Sequence, residues 1–323
     1  MACVLDNPEQ PRESLMKIFS LAKEEKKPIY ALAPMVRYSK LSFRQLVRSY
    51  GVTVAYTPMI LADVFRNSSE GRDNEFRTSL GDVPVVVQFA ATNGKDFADA
   101  AEMVAKYANG VDLNCGCPQK WAIHEHIGAY LMDYPELVRD MVKQVKGRVN
   151  IPCSVKVRIL PDIKKTIDYI QKVESSGVDF ITVHGRTKKQ KSTEPCDWET
   201  IKLIKETVSV PVLGNGSIFS LKDADKYIAE TGIDGVMAGR GLLMNPALFA
   251  GYEYTPKECV EQFLYNSLAY GTNTFIFHHH LMYMLDSVMG KTEKRAFNVL
   301  TSIPGILDYL EKHYDITPKN HFI

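Results

Sequence analysis

Short apolar runs that alternate with amphipathic helical patterns constrain the fold of this chain more than any other feature. Eight runs rich in Val and Ile are apolar at consecutive positions, which is typical of strands buried on both faces of a parallel sheet. The predicted strands are Ile29–Ala33, Val52–Thr57, Val85–Ala90, Val111–Asn114, Ser154–Ile159, Phe180–His184, Val212–Asn215 and Gly235–Ala238. Most of the chain therefore forms a parallel sheet with a crossover after each strand.

Between these runs, apolar residues recur three and four positions apart, which predicts helices. The predicted helices are Phe43–Tyr50, Phe97–Tyr107, Glu136–Val145, Lys164–Glu174, Trp198–Thr207 and Leu221–Ala229. Ser42 and Asp96 are predicted as N-caps, and the polar crossover Ala62–Leu80 has no clear pattern. Eight strand–helix units match a (β/α)₈ barrel, the TIM-barrel fold. The alternative is a doubly wound sheet, which favours a glycine-rich first turn, and Ala33-Pro34-Met35 is not such a turn.

The pattern changes after Gly251, where helices follow one another without strands. These helices are predicted at Pro256–Tyr270, Phe275–Met289, Lys294–Thr301 and Pro304–His313. We therefore predict an N-terminal extension over 1–27, a catalytic α/β barrel over 28–251 and a small all-α domain over 252–323. No apolar run approaches the roughly 18 residues of a membrane span, so no membrane contact is expected. Six cysteines without disulfide spacing favour an intracellular location, either cytoplasmic or nuclear.

Polar and cationic side chains follow nearly all the predicted strands, which is where barrels collect their chemistry. Lys156 and Arg158 alternate with valines and so share one face of a strand. Inside a barrel, they suit a cofactor that becomes negative on reduction, such as a flavin. Asn215-Gly216-Ser217 and Gly239-Arg240-Gly241 follow the last two strands, where barrels commonly bind phosphate. Tight turns that require glycine are the alternative interpretation of these two segments.

A cysteine lies just past the end of the fourth predicted strand, in Leu113-Asn114-Cys115-Gly116-Cys117-Pro118. Pro118 cannot continue a strand ladder, so the chain leaves the sheet there and presents the thiol. That thiol is a candidate nucleophile, metal ligand or proton donor. No metal site is predicted, since Cys115 and Cys117 lack the second ligand pair that zinc requires. The run His278-His279-His280 cannot converge on one ion, because consecutive helical residues point about 100° apart.

The motifs taken together resemble the tRNA-dihydrouridine synthases, from about Tyr30 to about Tyr314. The resemblance rests on Ala33-Pro34-Met35, Gln88-Phe89, Asp112–Pro118, Val155–Arg158, Thr182–Thr187, Asn215-Gly216 and Ala238–Gly241. The helical segments Phe277–Met284 and Glu293-Lys294-Arg295 resemble the eukaryotic subfamily that acts on tRNA positions 20a and 20b. Ser217 departs from the family pattern, in which many members have Asp after Asn-Gly.

This resemblance implies an FMN-dependent enzyme that reduces the C5–C6 double bond of a D-loop uridine, with NADPH or NADH as reductant and tRNA as partner. The residues that it places at the cofactor are Pro34, Met35, Val36, Gln88, Lys156, His184, Asn215, Gly216, Ser217, Gly239 and Arg240. Asn114 and Arg158 are placed at the substrate. Hydride passes from reduced FMN to C6, and Cys117 supplies the proton to C5. A monomer is expected.

Two other functions are compatible with parts of the pattern. A different FMN barrel oxidoreductase that acts on a small molecule, such as a relative of dihydroorotate dehydrogenase, shares the barrel but has no use for the helical tail. A tRNA-binding protein that has lost catalysis is the second alternative. It would bind no flavin.

Overall fold

The computed structural model describes residues 14–322, and a parallel sheet forms its centre. The strands are β1 Ile29–Leu32, β2 Val54–Tyr56, β3 Ile60–Leu61, β4 Val85–Ala90, β5 Gly110–Cys115, β6 Cys153–Arg158, β7 Phe180–His184, β8 Val212–Asn215 and β9 Gly235–Ala238. Each of the eight predicted strands is confirmed. The two-residue strand β3, which the sequence does not predict, pairs only with the upper part of β4.

The sheet closes into a barrel of eight parallel strands. Each strand pairs with the next around the barrel, and β2 pairs with β4 past the short β3. Pairing of β1 with β9, from Ile29 opposite Gly235 to Leu32 opposite Ala238, completes the closure. The predicted (β/α)₈ barrel is confirmed, and the doubly wound alternative is excluded. All carboxyl ends of the eight strands therefore meet at one end of the barrel.

Helices surround this barrel and continue beyond it. They are α1 Leu15–Glu24, α2 Leu41–Arg48, α3 Ala62–Asn67, α4 Ser69–Glu75, α5 Gly94–Val104, α6 Lys120–His124, α7 Pro135–Lys146, α8 Ile163–Glu174, α9 Trp198–Thr207, α10 Leu221–Thr231, α11 Arg240–Met244, α12 Lys257–Ala269, α13 Thr274–Met284, α14 Lys291–Asn298 and α15 Ile303–Tyr314. The predicted helices are confirmed, but the two predicted N-caps are wrong. Lys40 precedes α2, and Asn93 caps α5 by accepting from the backbone N–H of Asp96.

The apolar core has an outer and an inner layer. Val155 and Val157 belong to the outer layer, between the strands and the surrounding helices. The inner layer fills the barrel itself and includes Phe180, together with Leu15 and Phe19 from α1. The rings of Phe19 and Phe180 lie 4.9 Å apart, so α1 closes the amino end of the barrel. The sequence predicts no element before Ile29, and residues 1–13 of the predicted extension lie outside the described part of the chain.

Helix α12 packs on α2, α13 packs near α11, and α14 and α15 pack on α13. His280 of α13 is fully buried between Phe43 and Phe263, with ring centroids 4.3 and 5.0 Å away. The all-α character predicted for this region is confirmed, while its boundary at residue 252 stays a prediction. Within residues 14–322, no helix is both long enough and apolar enough to cross a membrane.

Candidate active site

A cavity of about 230 Å³ lies at the carboxyl end of the barrel, between the loops that follow several strands. Its lining includes nine residues predicted to hold a cofactor, namely Pro34, Met35, Lys156, His184, Asn215, Gly216, Ser217, Gly239 and Arg240. The remaining predicted residues, Val36, Gln88, Asn114, Cys117 and Arg158, lie outside this lining. Val36 is 53% exposed, whereas Gln88 is fully buried. The fold thus gathers the predicted phosphate loops and the strand cation into one cavity.

Cations on β6 and just after β7 and β9 give this end of the barrel its charge. The strand register sets Asn114 beside Lys156 and, one layer higher, Arg158 beside His184 and His184 beside Asn215. Burial, together with the nearby charge of Arg158, lowers the pKa of Lys156 to about 8. Burial also lowers the pKa of Arg158. Desolvated cations that repel one another are costly, so this arrangement favours an anionic ligand.

His184 is a neutral side chain within the cationic cluster. Burial, together with the cations around it, lowers its pKa to about 2, so the imidazole does not carry a charge. Its Nε2 atom lies 3.1 Å from Nη1 of Arg186, and a guanidinium can only donate. His184 therefore accepts a hydrogen bond through Nε2 and carries its proton on Nδ1.

Arg186 is a site residue that the sequence reasoning did not assign. Only 2% of it is exposed, and its other partners are the carbonyl of Glu194 at 2.7 Å and the hydroxyl of Ser217 at 2.6 Å. Nη1 and Nη2 each keep one hydrogen for a further acceptor. Arg186 also lines the cavity and lowers the pKa of Arg240. The signal for it was a second basic residue at the strand end that carries His184.

Two glycine-containing loops, which follow β8 and β9, form one wall of the cavity. Gly216 and Ser217 have φ of 135° and 54°, and a Cβ at Gly216 would lie 2.5 Å from Sγ of Cys196. A Cβ at Gly241 would lie 2.2 Å from the carbonyl oxygen of Ile218, so only glycine lets the two loops touch. The backbone N–H groups at the start of α11 have no partner within their own helix. Such loops are suited to a phosphate group.

Cys117 lies in the turn after β5, half-buried beside the cations. The side-chain oxygen of Asn114 accepts from the backbone N–H groups of Gly116 and Cys117 at 3.0 and 2.9 Å. Gly128, at φ 62°, packs against Cys117 so closely that a Cβ would lie 2.7 Å from the Cys117 carbonyl oxygen. Burial raises the pKa of the Cys117 thiol, although Lys156 and Arg158 act in the opposite direction. The side chain is therefore a thiol rather than a thiolate at neutral pH.

The two predicted amide residues are linked by hydrogen bonds inside the barrel. Nδ2 of Asn114 donates to Oε1 of Gln88 at 2.7 Å, and Nε2 of Gln88 donates to Oδ2 of Asp112 at 2.7 Å. Asp112 is fully buried and also accepts from the hydroxyl of Ser154 at 2.6 Å. Each amide nitrogen keeps one unused hydrogen. Arg158 donates to the Gly116 carbonyl oxygen at 2.6 Å and so supports the same turn.

The loop after β1 connects the cavity to the C-terminal helices. Met35 lines the cavity and receives a hydrogen bond from the backbone of Tyr38 at 3.0 Å. The hydroxyl of Tyr38 lies 3.1 Å from Nδ1 of His279, and Nε2 of His280 donates to the Tyr38 carbonyl oxygen at 3.1 Å. His278 instead contacts the carbonyl oxygen of Phe297 at 3.0 Å. Two of the three consecutive histidines thus contact Tyr38, and the third contacts Phe297.

Comparison with known proteins gives a consistent result. The family model described as dihydrouridine synthase (Dus) matches residues 31–311. A Homo sapiens protein named tRNA-dihydrouridine(20a/20b) synthase (NAD(P)+)-like is 52% identical over 88% of this chain and 90% of its own length. A Schizosaccharomyces pombe protein named tRNA-dihydrouridine(20a/20b) synthase (NAD(P)+) is 42% identical over 93% and 91%. A Mus musculus protein named for positions 16/17 is 38% identical over 73% of this chain and 50% of its own.

Proposed function

The chain belongs to the dihydrouridine synthase family, and we propose that it reduces uridines 20a and 20b in the D-loop of tRNA. NADPH or NADH supplies the electrons in this proposal, and FMN is the resident cofactor. The target positions rest on the relatives named for 20a/20b, which match nearly the full length of the chain. The relative named for 16/17 is less identical and matches over a smaller share.

The residues of the cavity fit FMN. The phosphate of FMN would be held by the glycine loops together with Arg186, Ser217 and Arg240. Their hydrogen-bond donors and positive charges line the cavity, and both favour an anion. Pro34 and Met35 would pack on the ring from the loop after β1, with Val36 next to them. Lys156 would lie at the polar edge of the ring and Gln88 near it, while His184 and Asn215 would contact the cofactor from β7 and β8. When bound and reduced, FMN supplies the hydride that adds to C6 of uracil.

The observation that carries the proposal is a protonated thiol held rigidly beside this anion-favouring cavity. An acid must keep its proton until the reacting atom demands it, and burial keeps Cys117 protonated at neutral pH. In the proposed reaction, Cys117 gives its Sγ proton to C5 of uracil. Asn114 already uses its side-chain oxygen on the backbone at Cys117, so it presents only an N–H group to the uracil. It would therefore bind a carbonyl oxygen of the base, with Arg158 supporting the turn from the other side.

The substrate must leave its stack, because a base within a folded tRNA cannot lie flat in a barrel mouth. We propose that the region over 252–323 holds the rest of the tRNA. Its helix α13 contacts the loop after β1, so it lies next to the cavity. There Arg37 lies 5.8 Å from the ring centroid of Phe275, which is 50% exposed. Arginine and aromatic planes of this kind stack on unpaired bases. The proposed active species is a monomer.

The test uses the purified protein, FMN and a tRNA transcript with uridines at 20a and 20b. We expect the preparation to be yellow and to form dihydrouridine at these positions with NADPH or NADH. Cys117→Ala should retain FMN and tRNA binding while product formation falls by a factor of about 10² or more, the contribution typical of a general acid. A colourless protein that cannot be reconstituted with FMN would contradict the enzyme. A wild-type rate in Cys117→Ala would show that another group is the acid.

A further inference from the structure

A single line of hydrogen bonds runs from the Cys117 backbone to the interior of the barrel. It passes from the Cys117 N–H to Asn114 at 2.9 Å, then to Gln88 at 2.7 Å, and finally to Asp112 at 2.7 Å. Ser154 donates to the other oxygen of Asp112 at 2.6 Å. Every donor in this line points toward the Asp112 carboxylate, and none points away. The carboxylate is therefore its terminal acceptor.

Burying a carboxylate at this position costs desolvation free energy, so its presence needs a physical explanation. Asp112 is fully buried, and burial raises its pKa to about 6. The hydrogen bonds from Ser154 and Gln88, and then the nearby charge of Lys156, lower this pKa and partly offset the burial. An amide or a hydroxyl would satisfy the same donors at a lower desolvation cost. The carboxylate differs from them in that it can only accept, with full negative charge on its oxygens.

We propose that Asp112 is a positioning residue that fixes the orientation of both amides and, through them, the backbone of the Cys117 turn. Because Asp112 cannot donate, the nitrogen of Gln88 must face it, and the oxygen of Gln88 must face Asn114. The nitrogen of Asn114 then faces Gln88, which leaves its oxygen for the N–H groups of Gly116 and Cys117. The negative charge also polarises the whole line, because hydrogen bonds to an ionised acceptor are about twice as strong as neutral ones.

A consequence is that the spare hydrogens of Gln88 and Asn114 are both N–H donors. Two donors held side by side select carbonyl oxygens, the groups that edge both a flavin ring and a uracil. Asp112 touches neither ligand in this assignment. Asp112 affects Cys117 only by orienting the side chains between them. This inference rests on the proposed roles of Asn114 and Cys117.

Hydrogen exchange of the Gly116 and Cys117 amides, measured on the purified protein, tests the inference without substrate. Asp112→Asn keeps size and shape but removes the charge and allows either amide orientation, so exchange should be at least threefold faster. Gln88→Glu sets two carboxylates against each other and should accelerate exchange at least tenfold. The double variant moves the carboxylate one step along the line, where it accepts from the amides at positions 112 and 114. Exchange should then return to within twofold of the wild-type protein.

Ser154→Ala is the matched control, since it removes a hydrogen bond to Asp112 without touching the line to Cys117. Its exchange at Gly116 and Cys117 should stay within twofold of the wild-type protein. Strand β7 reports on the barrel as a whole and should be unchanged in every variant. The inference is overturned by a double variant no better protected than Gln88→Glu, by wild-type exchange in Asp112→Asn, or by acceleration that extends equally through β7.

A kinetic measurement then connects the inference to the reaction. In single turnovers with tRNA and pre-reduced enzyme, Asp112→Asn should lower the rate at least fivefold and leave tRNA affinity unchanged. Equal weakening of tRNA binding would contradict a role limited to the turn. If the wild-type protein reduces no uridine, the proposed function fails, while the exchange measurements still decide what Asp112 does.

Discussion

Replacing Arg186 by Met should weaken FMN binding more than any comparable change at the cavity. The guanidinium is 2% exposed, and three of its nitrogen–hydrogen groups are used by Glu194, His184 and Ser217. Its two spare hydrogens, on Nη1 and Nη2, belong to a cation that water hardly screens. A hydrogen bond to a charged group is worth about 1.5–3 kcal/mol. Loss of one such bond corresponds to a rise of roughly 10- to 150-fold in the Kd for FMN.

Arg240 provides the matched comparison, because it lines the same cavity but is exposed. One of its nitrogens already donates to the Ser192 carbonyl oxygen at 2.6 Å. Exposed ionic contacts contribute about 0.2–1 kcal/mol, so Arg240→Met should raise the Kd by no more than roughly fivefold. Arg186→Lys keeps the charge and loses the planar fork, so it should fall between the two. Burial thus orders the two Met variants, and the retained charge places Arg186→Lys between them.

The assay is a fluorescence titration of apo-protein with FMN and, separately, with riboflavin, which has the same ring but no phosphate. If Arg186 acts on the phosphate, Arg186→Met weakens FMN and leaves riboflavin binding within twofold. Thermal melts of the apo-proteins check that loss of the loop contacts of Arg186 has not destabilised the fold. An unchanged Kd for FMN would refute the assignment. Equal losses for FMN and riboflavin would refute it as well, since they would assign Arg186 to the ring or to the fold.

Two further predictions concern titration and the C-terminal helices. Because the pKa of Lys156 is lowered to about 8, its charge disappears as the pH rises from 7 to 9, and FMN affinity of the apo-protein should fall over that window. Lys156→Met should bind FMN more weakly and lose this pH dependence; an unchanged profile would contradict the role. His280 is neutral, with a pKa of about 3, and donates to Tyr38. His280→Leu should lower the free energy of unfolding by about 1–3 kcal/mol in denaturant titrations, whereas His280→Gln retains a donor and should lose less. Equal stability of the two variants would contradict the hydrogen bond.

The fold was largely readable from the sequence, because strands buried in a barrel must be short apolar runs and the helices around them must be amphipathic. The wrong N-cap at α5 arose because two neighbouring residues can play the same part. Asn93 and Asp96 can both cap a helix. In the structure Asn93 is the N-cap: its side-chain oxygen accepts from the backbone N–H of Asp96, and its side-chain nitrogen donates to the Asp96 carboxylate within the first turn. Helix α1 was missed, since only packing against Phe180 distinguishes Leu15 and Phe19 from a polar extension.

The sequence predicted those residues of the candidate site that lie at the ends of strands. Lys156 and His184 lie at positions that a strand pattern identifies, and the structure brings both to the cavity. Arg186 was not assigned, because its contact with Ser217 joins two loops that are separate in the sequence. Asp112 was not predicted as a site residue, for a different reason. It interrupts an apolar strand, and only the register of β4, β5 and β6 reveals which amide and hydroxyl it faces.

The cations of the cavity and the burial of Cys117 have opposite effects on the pKa of its thiol. Lys156 and Arg158 lower the pKa of Cys117, so by themselves they would favour a thiolate, which cannot act as an acid. Burial raises that pKa and outweighs them. An anionic ligand would offset the two cations and remove their effect on Cys117, while leaving the burial in place. Occupation of the cavity by an anion should therefore strengthen the protonated state of the thiol. In the proposed reaction, Lys156 and Arg158 would therefore no longer oppose the protonated state of Cys117 once FMN is bound.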